Sequence, residues 1–138
     1  LIVMTACSDS TGVESADMEG TWTAQSMVVS SVDDPSMTVD LIAAGSSVSV
    51  MFAADGTYTV TFIEGEVTED EAGTYSVSGS TLTLVETLED QTLEAEEMTI
   101  ALDGNNMTLT MSDHWDFDDD GIEDAATMVI GLTRTVVQ

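Results

Sequence analysis

The chain has 138 residues, enough for one domain around one core and too few for two well-packed ones. Its 27 acids face a single base, Arg134, for a formal net charge of −26, which argues against nucleic acid and anionic lipid surfaces as partners, because phosphate binding needs lysine and arginine to displace counterions. Apolar residues at 43% exclude disorder throughout, and so large a like charge fits a saline, halophilic habitat, divalent cations or a basic protein partner.

The N-terminus, "LIVMTACSDS", opens with an apolar run, Leu1 to Ala6, that is too short to span a bilayer and lacks the positive residues of a full signal peptide. Residues 1–6 therefore read as the residual end of one. Cys7 is the only cysteine and has no internal disulfide partner. With small Thr5 and Ala6 before it, "VMTAC" resembles the lipobox of bacterial lipoproteins, although Met4 stands where leucine is commonest. The resemblance implies that Cys7 is the lipidated first residue of a mature extracytoplasmic lipoprotein, periplasmic or at the cell surface; the alternative is a stray free thiol. Residues 7–19 would then be a flexible tether, and residues 20–138 the folded domain.

From Gly20 onward, alternation of period two dominates, the mark of half-buried strands. Strands are expected at Thr21–Val32, Ser47–Ala53, Thr57–Glu64, Gly73–Val77, Thr81–Leu88, Thr92–Leu102, Asn106–Met111 and Ala125–Val137. The connections Ala53–Gly56, Ser78–Ser80 and Asp103–Asn106 are short and carry residues that tolerate positive φ, as tight hairpins require. The longer connection, Asp33–Ser46, holds the only proline, Pro35, and has room for a short helical turn over one end.

Eight strands joined by hairpins are expected to form an antiparallel up-and-down barrel, because an open sheet would leave two edges exposed. Val48, Val50 and Phe52 share one face of their strand, as do Tyr58, Val60 and Phe62; Leu82 and Leu84; Met98, Ile100 and Leu102; Met107, Leu109 and Met111; and Met128, Ile130 and Leu132. These form the expected interior. If it is open, the residues facing a ligand would be Phe52, Tyr58, Val60, Phe62, Leu84, Met98, Leu109 and Met128. The nine methionines read as gap-fillers of an aromatic-poor core rather than as a soft-metal site.

Arg134 has the parity of Met128, Ile130 and Leu132, so alternation turns the only positive charge inward, where it needs a partner. The first strand begins "GTW", Gly20 to Trp22. A glycine-x-tryptophan there with an arginine at the last strand resembles the lipocalin-like families, and "FAADGTYTVT" and "GTYSVSGSTLTL" look like their small bacterial lipoprotein members. The resemblance implies an eight-stranded lipocalin-like barrel with Trp22 and Arg134 stacked as its floor, a contact of roughly 0.5 to 2 kcal/mol.

Before the last strand stands "DHWDFDDDGIEDAAT", with seven acids in the twelve positions Asp113 to Asp124. Asp116, Asp118 and Asp120 fall at positions one, three and five, Gly121 at six, Ile122 at seven and Asp124 at nine. Alternate carboxylates before a glycine turn let a short backbone wrap one calcium ion, and the pattern resembles the calcium loops of EF-hands, dockerins and thrombospondin type 3 repeats. In those families the acids bind by side chain and position seven by its carbonyl. Thr127 stands where they carry a bidentate acid, so the expected affinity is weak, about 10⁻⁴ to 10⁻³ M. The alternative is a bare solvated acidic loop, and His114 reads as a loop residue beside Trp115.

The leading functional reading is a lipid-anchored lipocalin-like binding module for a small apolar molecule, with calcium stiffening the loop. The second is a filled acidic barrel that inhibits or docks on a basic partner. An enzyme is the weakest, since no nucleophile elbow or phosphate loop is present and 27 acids define no particular pair.

Overall fold

In the run from Ser47 to Phe52, Val48, Val50 and Phe52 are buried while Ser47 and Met51 are exposed, as a strand with one apolar face requires. The computed structural model describes residues 14–88 and 91–135, and this alternation recurs along the chain. A short helix α1 (Ser15–Met18) precedes β1 (Gly20–Ser31), β2 (Thr38–Asp40), β3 (Ser47–Phe52), β4 (Thr57–Glu64), β5 (Val67–Ser78), β6 (Thr81–Leu88), β7 (Gln91–Asp103), β8 (Asn106–Trp115) and β9 (Asp124–Arg134).

Each strand from β3 to β9 pairs antiparallel with the next, while β1 pairs with β3 on one side and β9 on the other. The eight strands β1 and β3 to β9 thus close an up-and-down barrel. Closure satisfies backbone donors and acceptors that an open sheet would leave at two edges. The long β1–β9 ladder, from Trp22↔Arg134 to Ser31↔Ala126, shifts register between Ala24 and Ser26, a bulge that lets one strand bend around the barrel.

Four features depart from the sequence expectation. The connection after β1 contains a ninth strand, β2, which pairs through Val28↔Asp40 and Ser30↔Thr38 with the part of β1 that β3 leaves free. Three residues are too few to show alternation. The turn that follows is held by the Asp40 carboxylate, which accepts the N–H groups of Met27, Ile42 and Ala43 at 3.2, 3.0 and 3.3 Å. The Met27 donor, helped by the other two against partial desolvation, keeps Asp40 below the usual carboxyl range.

The strand expected from Gly73 begins at Val67, because pairing with β4 continues from Thr57↔Thr74 to Glu64↔Val67. "VTEDEA" lacks an apolar alternation and gains its strand form from that partner. Likewise β8 runs past Met111 to Trp115, paired with β9 as far as Asp124.

The folded part also begins earlier than Gly20. Met18 is fully buried in the core, and its carbonyl accepts the Trp22 indole N–H at 2.8 Å, so the end of the expected tether packs on the barrel. Cys7 and the expected signal-peptide remnant lie outside the described residues.

Gly73 marks the tightest approach. A Cβ there would lie 2.0 Å from the Val85 carbonyl oxygen, beside the β6 irregularity between Val85 and Thr87. Only a residue without a side chain lets the two backbones pass.

The largest fully buried side chains, Trp22, Tyr58, Phe52, Met18, Leu82, Met107 and Leu132, gather where β1 begins and β9 ends. That end is the floor. At the opposite end, where β4, β6 and β8 finish, the inward parity passes to Glu71, Glu86 and Asp113, which are only half-buried.

Candidate functional site

At the floor, Arg134 sits opposite Trp22 in the β1–β9 ladder, its guanidinium carbon 4.5 Å from the centroid of the indole ring. One terminal nitrogen donates to the Asp17 carbonyl oxygen of α1. Buried Nε has no acceptor among the described residues. The arginine ties the helix to the barrel and covers the ring with a flat cation, an arrangement lysine would not reproduce.

Above the floor, Phe52 and Tyr75 meet edge to face with centroids 4.8 Å apart, and the Tyr75 hydroxyl donates to the Ala53 carbonyl at 2.9 Å. The interior then opens into a cavity of about 140 Å³. Of the residues expected to face a ligand, Phe52, Val60, Phe62, Leu84, Met98 and Leu109 line it, whereas Met128 and Tyr58 are buried without lining it. Glu71 and Glu96 line it as well.

Glu71 accepts the Tyr58 hydroxyl at 2.6 Å. Desolvation, then the bond to Glu71 and the charges of Glu71, Glu86 and Glu96, push the Tyr58 phenol far above its usual range, so it remains a donor at any physiological pH. Glu96 is exposed at the mouth of the cavity; partial desolvation, then the carboxylates of Glu71, Asp113 and Glu86, raise its carboxyl. Neither glutamate stood out in the sequence. Glu96 shares the parity of Met98 and was legible in principle, whereas Glu71 belongs to the segment whose strand form depends on β4.

The model of a family described as a lipocalin-like domain matches residues 18–110, more than half of the chain. The chain belongs to this lipocalin-like family. No curated protein and no solved structure gives a match. The lipocalin-like match begins at Met18, the residue whose burial extends the domain before Gly20, and it ends before the acidic loop.

That loop adds a second group of polar side chains to the lipocalin-like barrel. Asp116, Asp118 and Asp120 are brought together, each offering one oxygen within 4.8 Å of the others. The backbone folds around the first of them: Asp116 accepts the N–H of Asp120 at 3.2 Å and of Gly121 at 2.9 Å, while Asp120 accepts that of Ile122 at 2.8 Å. Asp119 and Gly121 take φ of 58° and 84°, which makes the turn sharp enough for such bonds.

Desolvation raises the Asp116 carboxyl, but the Gly121 and Asp120 donors outweigh it and the net shift is downward. For Asp118 the Asp120 N–H lowers the carboxyl, and desolvation with the Asp120 and Asp116 side chains more than reverses this. The clustered charges repel. Ile122 is 65% exposed, and Asp124 opens β9 opposite Trp115, outside the triplet. Thr127 stands within β9, facing Ser112 of β8. His114 is exposed on β8, while Trp115 and Phe117 pack against the core.

Proposed function

We propose that this lipocalin-like barrel is an extracytoplasmic binding module that holds a small apolar ligand inside. The observation that supports this is the interior cavity of about 140 Å³, walled by apolar side chains from strands all round the barrel. At ~30 Å³ for each water it is roughly five water volumes, below the ~300 Å³ at which drug-sized pockets begin, so the ligand is a ring or a short chain. Titration with a small apolar fluorophore is expected to saturate at one per chain, and Leu109→Trp, which fills the cavity, is expected to abolish it. A flat titration favours the second reading, a filled barrel that presents its acidic surface to a basic protein, for which the small cavity also speaks. That alternative predicts capture of a basic protein that is lost at high salt.

The loop is proposed as a weak calcium site on the barrel rim. The triplet supplies three hard oxygens, and calcium takes six to eight, so the Ile122 carbonyl, Asp124 or water would complete the set. A calcium ion there would neutralise the repulsion that raises Asp118 and stiffen the entry to β9. Melting in calcium, magnesium and sodium at matched ionic strength tests it, because any cation relieves a −26 surface. Calcium is expected to stabilise beyond the other two, and Asp118→Asn to remove the excess; equal effects of all three would refute the site.

Anchoring through a lipid on Cys7 completes the proposal, on the strength of "VMTAC". No helix among the described residues is long and apolar enough to cross a membrane. Mass spectrometry of the N-terminal peptide from bacterial membranes is expected to show acylated Cys7, and Cys7→Ser to release the protein from them.

A further inference from the structure

Twelve of the fourteen residues that wall the cavity are apolar, and the two exceptions, Glu71 and Glu96, are both acids. An apolar chamber needs no carboxylate, and Glu71, half-buried, and Glu96, exposed, set two like charges side by side at its mouth. The Tyr58 hydroxyl reaches one oxygen of Glu71 and carries no charge. The only lysine or arginine of the protein, Arg134, is held at the floor over Trp22, at the far end of the barrel. Among the described residues no cationic side chain faces these two acids, the one histidine, His114, being exposed on β8.

The cavity has a charged neighbour on the same side. A second depression of about 250 Å³ shares Val60, Phe62 and Glu71 with it and adds Glu69, Asp70 and Glu86. A ligand approaching from this side would pass four acids, Glu69, Asp70, Glu71 and Glu86, beside Val60 and Phe62. Anions are repelled along this path, and a neutral polar group finds acceptors but no relief of the crowded charge. Partial desolvation, then the carboxylates of Glu71, Asp113 and Glu86, raise Glu96, and a positive group at that point would offset the repulsion among them.

We infer that the ligand is a small alkyl- or arylamine, seated with its apolar part in the cavity and its ammonium between Glu71 and Glu96. This rests on the ligand-binding reading above and adds the chemistry of the head group. The size limits the apolar part, since a cavity of about 150 Å³ is known to hold benzene, comparable to this one. A chain of about six carbons or one aromatic ring is the scale.

The test compares hexylamine, hexanol and hexanoate as competitors of the apolar fluorophore, in ~1 M sodium chloride, where a Debye length of about 3 Å suppresses attraction to the outer surface. Hexylamine is expected to bind one to one and about tenfold or more tighter than hexanol, the scale of a hydrogen bond to a charged group, with hexanoate weakest. The double variant E71Q/E96Q keeps an acceptor for Tyr58 and is expected to lose the preference for the amine over hexanol. The control E97Q/D103N, which removes two acids from the outer face and a turn, is expected to retain it.

Equal affinity for hexylamine and hexanol, or a preference that survives in E71Q/E96Q, overturns the head-group inference and leaves the apolar cavity standing. If none of the three displaces the fluorophore, or the fluorophore itself does not bind, the ligand-binding reading falls and this inference with it.

Discussion

Replacing Trp22 by alanine removes the largest side chain of the floor, one with no solvent exposure. Loss of a buried tryptophan costs about 3 to 5 kcal/mol through lost transfer free energy and the cavity left behind. The indole N–H bond to the Met18 carbonyl disappears, and a buried carbonyl left unpaired adds roughly 1 kcal/mol or more, unless α1 peels away and exposes it to water. Arg134 loses the ring beneath it, at a further ~0.5 to 2 kcal/mol. A total of roughly 5 to 8 kcal/mol approaches the whole stability of a marginal domain. In urea titrations followed by circular dichroism, W22A should be largely unfolded or lose most of its midpoint, measured in high salt so that the net charge does not dominate. Trp22→Phe keeps a ring but no donor and should lose roughly 1 to 2 kcal/mol. A loss below about 1 kcal/mol for W22A would refute the floor as a packed unit and return Trp22 to the solvated N-terminal segment.

Gly73→Ala should destabilise by about 3 kcal/mol, because the new methyl meets backbone at 2.0 Å and no rotamer change relieves it; a melting temperature within a degree or two of the parent would show that the strands separate freely. Asp40→Ala leaves three N–H groups without their acceptor, and hydrogen exchange at Ile42 and Ala43 should rise while exchange in β7 is unchanged. For Glu96 the raised carboxyl means that the charged form is disfavoured in the folded state, a penalty complete above its folded pKa and gone below the ordinary value of 4.5. Glu96→Gln should therefore melt higher than the control Glu97→Gln near neutrality, the advantage vanishing as pH falls through the ordinary carboxyl range; a pH-independent difference would show that ionisation of Glu96 is not its source. Asp40 and Asp116 act in the opposite direction, contributing stability above the ordinary 3.8 that is lost as pH falls through their lowered values.

Alternation of period two is a local property, so β3, β4 and β6 were legible almost to the residue, and so were the apolar walls that β7, β8 and β9 contribute. Hairpin length and turn residues made neighbours of consecutive strands, and the cost of two open edges pointed to a closed barrel. The spacing of Asp116, Asp118 and Asp120 around one sharp turn was also local, and the three carboxylates do converge. Tertiary structure decided the features that depend on a partner distant in the chain. Val67 to Ala72 is a strand because β4 offers it a ladder, β2 because β3 leaves half of β1 unpaired, and Met18 is core because the indole of Trp22 needs an acceptor. The same dependence hid Glu71: until pairing sets the register of β5, nothing in "VTEDEA" tells which acid points outward to water and which closes over the cavity.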